Sequence, residues 1–220
     1  HGLAEAYLIA GMNSYDGAMS MDSEAKTQEC LRKASECMKE AVKLSEKSGD
    51  KFLQGRSNVF SGFIEEDFGS GAEAAAEAFE KALRFSLETR DRRLMSEAYD
   101  GVAYNMGTRA GFAIDPERRK QLLERRHVCA NDAINCSALV DYGRGISHAY
   151  YAEAAYHRSL AAQVPAETRR ESLMKAIAVG KQGLEHAQKA GSSHATYHIL
   201  MNLVSSLFDL SAIETGAEKR

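Results

Sequence analysis

His194 and His198 stand four residues apart, a spacing that sets both imidazoles on one face of a helix and suits two ligands of a metal ion. A metalloprotease helix would carry Glu directly after the first histidine, and Ala195 stands there instead. A third ligand would have to come from His186 or His157, so the pair reads as surface or capping residues and no metal or other cofactor is expected. The cysteines form two pairs, Cys30/Cys37 and Cys129/Cys136, each seven residues apart. On a helix that is ~10 Å of rise, beyond the ~7 Å that a disulfide bridges. Zinc sites place their cysteines closer together, so four small residues in helix interfaces of a reduced, cytoplasmic protein are the expected reading.

Two charged stretches could steer a partner. Arg118, Arg119, Lys120, Arg125, Arg126 and His127 form the most basic segment, with Glu117 and Glu124 interspersed. Their spacing sets Arg118, Arg125 and Arg126 on one face, expected to be solvated, with a docking ridge for an acidic partner as the functional alternative. Glu65, Glu66 and Asp67 form an acidic run that is either solvated or attracts a basic peptide. Tyr150, Tyr151, Tyr156, His148, His157 and Arg158 make an aromatic and cationic cluster of the residue types that dominate binding energetics, about half of them expected to face inward.

Catalytic signatures are missing: there is no Gly-rich phosphate loop, no Gly-x-Ser-x-Gly and no paired Glu-x-x-His for a di-iron bundle. With no set of nucleophile, base and oxyanion donor, a non-enzyme is expected. The formal net charge of −3 gives no positive field for a phosphate backbone, so nucleic acid is not an expected partner. No apolar run approaches membrane-spanning length, so neither is a membrane. At 220 residues, 44% hydrophobic and 27% charged, with 2 prolines, the chain has the composition of a folded protein rather than a linker or a fibre. It opens at His1-Gly2 without an initiator Met and is expected to be a tagged form or an excised fragment of a longer protein, residues 1–220 forming a single helical-repeat domain.

The elements that must position these residues are helices. Apolar residues recur at three- and four-residue intervals almost throughout, and no stretch alternates long enough for a strand. Breaks at Ser20 to Asp22, Gly49-Asp50, Gly69-Ser70-Gly71, Arg90-Asp91, Asp115-Pro116, Gly143 to Gly145, Pro165 and Gly191 to Ser193 predict nine helices. These are expected at 3–19, 23–48, 51–67, 71–89, 91–113, 116–141, 145–162, 165–190 and 193–214. Asp22 or Ser23 can cap the second helix and Gly49 can close it in the left-handed conformation. Pro116 and Pro165 are both expected in a first helical turn, where the missing N–H costs nothing. Short connections make consecutive helices antiparallel neighbours, and pairing them gives hairpins recurring every ~40–52 residues, a spacing found in helical-repeat arrays.

The hairpins share a pattern. The second helix of one reads Ala75-x-x-x-Phe79-x-x-Ala82 and that of another Ala34-x-x-x-Met38-x-x-Ala41. Small residues flanking a large one let a neighbouring helix approach closely. Gly11, Gly62 and Gly101 fall inside first helices, where glycine costs about 1 kcal/mol against alanine unless a neighbour needs the space. In these positions the chain resembles the tetratricopeptide-repeat family, with Gly62, Gly69, Ala75, Phe79 and Ala82 matching in order over residues 51–89. Gly101 and Tyr104 carry the resemblance through 91–104, and Ala34, Met38, Ala41 and Ser48-Gly49-Asp50 carry it through 34–50. Beyond residue 116 only the helix pattern continues it, since Ala154 or Ala155 stands where Gly would be. Hairpins ending in Lys-Ser-Gly-Asp are also similar to the variant repeats of sensor domains in signalling ATPases and transcription regulators.

The resemblance implies an all-α, right-handed superhelix of TPR-like α-hairpins, about nine antiparallel helices in all, with a concave groove lined by first helices. The family's groove positions carry over to Met12, Arg56, Phe63, Met95, Val102 and Asn105, with Leu8, Val59, Ala98 and Glu5 at neighbouring positions. With Ala154 in place of Gly, they carry over to His148, Tyr151 and Arg158 as well. The implied function is a non-catalytic scaffold that binds a protein, most simply a peptide or amphipathic helix, in that groove, with a homodimer as an additional arrangement. The alternative is a ligand-sensing domain of a signalling or transcription regulator, closing on a metabolite near Tyr151, His148 and Arg158.

Overall fold

The computed structural model describes residues 2–18, 21, 23–69 and 71–215, apart from the side chains of Ala166 and His194. The described residues form α-helices without a strand: α1 (Gly2–Ala18), α2 (Glu24–Ser48), α3 (Lys51–Phe68), α4 (Ala72–Thr89), α5 (Arg92–Phe112), α6 (Pro116–Leu139), α7 (Gly143–Ala161), α8 (Ala166–Lys189) and α9 (Ser193–Glu214). Every end lies within two residues of its expected place. The reason is local punctuation. The Asp50 carboxylate accepts from the Leu53 N–H at 2.9 Å, and Asp91 does the same for Leu94 at 2.8 Å. Asp115 accepts from both Glu117 and Arg118, with Pro116 at the first helical position. Gly49, at φ 69°, ends α2 in the left-handed conformation.

Two local expectations change. Pro165 stands one step before α8, at its N-cap, where it offers no side-chain acceptor, rather than inside the first turn. Ser23 takes the N-cap of α2 with extended backbone but without a side-chain cap bond, and Asp22 lies outside the described residues. Two ends close on non-glycine residues in the left-handed region, Arg90 at φ 55° and Asp141 at φ 50°. None of the helices is long and apolar enough, among the described residues, to cross a membrane.

The helices gather into two compact units, residues 1–105 and 106–220, with the division inside α5. In the first unit α1 packs on α2, α2 on α3, α3 on α4, and α1 also reaches α3. The start of α5 joins through a cluster of Val59, Ala82, Leu94 and Ala98, against which Phe52, Phe60, Phe63 and Leu83 pack. A second cluster, Ala4, Leu8, Ala34, Met38, Ala41, Leu53 and Ile64, ties α1, α2 and α3 together. In the second unit α6 packs on α7, α7 on α8, α8 on α9, and α7 also reaches α9. Its core cluster is Ala161, Leu173, Ile177, Ala187, Ala195, Ile199, Leu203 and Leu210.

The Ala-x-x-x-large-x-x-Ala pattern is the packing device of the first unit. Ala75, Phe79 and Ala82 are fully buried. The Phe79 ring lies against Gly62 of α3 and Gly101 of α5 so closely that a Cβ on either glycine would overlap it. One hairpin earlier, Met38 meets Gly11 of α1 in the same way. Each large side chain of a second helix thus occupies the space that first-helix glycines vacate, which repays their helix-propensity cost with contact area.

Candidate functional site

In the first unit the expected groove positions Met12, Arg56, Phe63, Met95, Val102 and Asn105 lie on α1, α3 and α5, and each has a definite environment. The Arg56 guanidinium forks onto the buried Glu97 carboxylate, Nε to Oε2 at 3.2 Å and Nη2 to Oε1 at 3.5 Å, and Arg93 reaches the same Oε1 at 3.5 Å. Arg56 also sits 5.9 Å over the Phe60 ring and brings Nη2 to 3.9 Å from the Met12 sulfur. Arg56 and Met12 are therefore neighbours, and one guanidinium links α1, α3 and α5. Met12 is partly buried against the cluster of Leu8 and Met38. Met95 is partly buried, its sulfur 4.0 Å from an Arg92 nitrogen. The Phe63 ring meets Phe79 edge-on at 5.1 Å and Tyr104 tilted at 5.8 Å. Val102 and Asn105 are buried.

Two carboxylates of the acidic run at the end of α3 are engaged inside the first unit, and the run is partly buried. Asp67 accepts a hydrogen bond from the Tyr15 hydroxyl of α1 at 2.5 Å and another from the Tyr104 hydroxyl of α5 at 2.8 Å. Glu66 accepts from the Asn105 amide, which also donates to the Ala72 carbonyl at 2.7 Å. Asp67 and Glu66 together join α1, α3 and α5. Burial, reinforced by the Asp67 charge and its hydrogen bond, pushes the Tyr15 phenol far above its ordinary value, so the hydroxyl keeps its proton and can donate it to Asp67.

In the second unit the aromatic and cationic cluster resolves into stacked pairs. Tyr150 stacks on His186 at 5.4 Å, Tyr151 packs on the apolar core and tilts against His198 at 5.6 Å, and Tyr156 stacks on His127 at 4.5 Å. Arg158 pairs with Asp209 of α9 at 3.1 Å with both side chains about two-fifths exposed. His148 is partly buried on α7. His127, grouped by sequence with the basic segment, turns instead to the buried Glu153 at 2.8 Å, and His157 reaches the other oxygen of Glu153 at 3.2 Å. Burial alone would raise the Glu153 carboxyl, but the hydrogen bonds and charge of His157 and His127 outweigh it and hold the group below the usual carboxylate range. An ionised Glu153 requires Nδ1 of His127 to be the donor, and the Asn131 amide is satisfied by the His127 carbonyl at 2.8 Å.

The basic segment also divides. Arg118 and Arg125 are exposed as expected, whereas Arg126 is buried, its guanidinium filling the space beside Gly107. The side chain of His194 lies outside the description, and among the described residues no group of three or more metal-ligating side chains comes together. Cys30 and Cys37 are partly buried free thiols, and Cys129 and Cys136 are buried. A cleft of about 160 Å³ lies between α2 and the end of α3, lined by Leu31, Ser35, Ile64, Glu65 and Phe68 among others. That is below the ~300 Å³ at which small-molecule pockets begin.

Glu97, Asp67 and Glu153 carry the polar chemistry of the two units; motif reasoning passed over Glu97 and Glu153 and placed Asp67 in an acidic run without its tyrosine partners. A signal for them existed. Each falls on the i, i+3, i+4, i+7 stripe of a first helix: Phe60, Phe63, Ile64, Asp67; Leu94, Glu97, Ala98, Gly101; and Ala149, Ala152, Glu153, Tyr156. A carboxylate on an apolar stripe announces a buried partner.

The sequence matches no protein-family model and has no significant match among curated proteins.

Proposed function

We propose that the chain is a non-catalytic protein-interaction scaffold of TPR-like α-hairpins, in which the first helices of a unit present a preformed surface to a peptide or helix. The observation that carries this reading is the layer formed by α1, α3 and the start of α5, locked from behind by Phe79 against Gly62 and Gly101. Met12, Arg56 and Met95 are partly exposed along that layer, and Arg56 is held in place by Glu97. A surface fixed in this way orders little on binding, which limits the entropic cost of association. In the second unit His148, Tyr151 and Arg158 on α7 are the corresponding contact residues.

A peptide-display selection on the immobilised chain tests the reading. Selected peptides should contain apolar residues and lose at least about tenfold in affinity for the Met12→Asp and Met95→Asp variants, the change expected when an apolar contact is replaced by a desolvated carboxylate. Binders that ignore both substitutions, or a selection that yields none, would overturn it. Far-UV circular dichroism and a urea midpoint establish that the variants remain folded.

A further inference from the structure

Helix α9 is apolar on two sides. One side, with Ala195, Ile199, Leu203 and Leu210, enters the core of the second unit. The other carries Tyr197, Leu200, Met201, Val204, Leu207 and Phe208, exposed by 61, 44, 51, 61, 51 and 74%. No Lys, Arg, Asp or Glu occurs from Ser193 to Phe208. The contrast within the unit is sharp, since the preceding helix α8 exposes Arg170, Glu171, Lys175, Lys181, Glu185 and Lys189. A helix that is apolar on both sides belongs in an interior, yet one of these sides faces water.

We propose that α9 is a self-association helix, and that two copies of this chain pair antiparallel through its outer face. Three observations select a second copy as the occupant. The first is area: side chains of this size at these exposures leave on the order of 700 Å² of mostly apolar surface, close to the ~800 Å² per partner of a standard stable interface. The second is register. Tyr197 and Val204, Leu200 and Leu207, and Met201 and Phe208 are each separated by seven residues, the repeat with which one straight helix packs along another. The third is self-complementarity. The bulky rings lie toward the two ends of the strip, so a two-fold axis on the outer face between Met201 and Val204 brings Tyr197 of one copy to Phe208 of the other. The absence of charge across the strip means that no like charges are buried against each other.

Sedimentation equilibrium of the intact chain at micromolar concentration tests the proposal, together with the dependence of the thermal midpoint on protein concentration. The expected mass is that of two chains, with a midpoint that rises with concentration. Val204→Glu and Leu207→Glu each place a carboxylate in the seam from both copies, and should weaken dimerisation at least about 100-fold. Both positions are half exposed or more, so the helical circular dichroism should be retained. Lys181→Glu, on the charged surface of α8, should leave the dimer intact. A wild-type chain that stays monomeric with a concentration-independent midpoint overturns the proposal, whatever other apolar molecule the face then binds. So does a dimer that both glutamate variants leave unchanged.

Discussion

The ring of Phe79 occupies the space that a Cβ on Gly62 would need. This one contact turns a repeat-like pattern into a packing rule, because the glycine of a first helix and the large residue of a second helix are chosen for each other. On helix propensity alone Gly62→Ala would stabilise by about 1 kcal/mol. Here the methyl group must displace a fully buried ring, and overpacking of that kind costs about 1–3 kcal/mol. Gly62→Ala should therefore lower the urea midpoint, while Gly17→Ala, whose added Cβ meets nothing within 4 Å, should leave it unchanged or raise it. A stabilised Gly62→Ala would show that the ring is free to move aside.

Asp67 joins α1 to α5 through two tyrosine hydroxyls, and its replacement should be felt at both. Tyr104→Phe removes one neutral-to-charged hydrogen bond and should cost about 1–2 kcal/mol. Asp67→Ala strands two hydroxyls in a partly buried setting and should cost about 2–4 kcal/mol. A double-mutant cycle between Tyr15→Phe and Asp67→Ala should give a coupling of about 1 kcal/mol or more, since residues sharing a hydrogen bond are not additive. Strict additivity would mean that the pair contributes nothing to the joint between the helices.

Glu153 makes stability depend on acidity in a definite direction. Its carboxyl is held below the ordinary range in the folded chain, so the folded state binds its proton less readily than the unfolded state. The resulting stability is fully present above the ordinary glutamate value of about 4.3 and is lost as pH falls through the lower, folded value. Urea midpoints measured from neutral pH down to about pH 3 should fall more steeply for the native chain than for Glu153→Gln. Glu153→Gln should also be the less stable of the two at neutral pH, because His127 and His157 lose their charged acceptor. Parallel curves would exclude Glu153 as a source of the acid limb.

Helix positions were legible from the residues because their causes are local: Asp50, Asp91 and Asp115 cap their own helices and Gly49 ends α2 within its own turn. Gly62 and Gly101 were legible as close crossings and Phe79 as an interface residue, whereas that the Phe79 ring fills the space of both glycines depends on which helix lies against which. Expectations tied to charge alone fared differently. Arg126 and the Glu66-Asp67 pair read as surface, yet Arg126 is buried with its guanidinium in the space beside Gly107, and Glu66 and Asp67 are partly buried against partners distant in sequence, Asn105, Tyr15 and Tyr104.

Periodicity and capping thus determined an all-helical chain and the places where its helices begin and end, because a helix needs only neighbours within a turn or two. Tertiary structure alone decided which charges are used up inside, that His127 and His157 share Glu153, and that α9 is left with an apolar face toward water. Such outcomes depend on which helix lies against which, and the energy that settles them is desolvation: a carboxylate on a buried stripe must find a donor wherever the chain brings one.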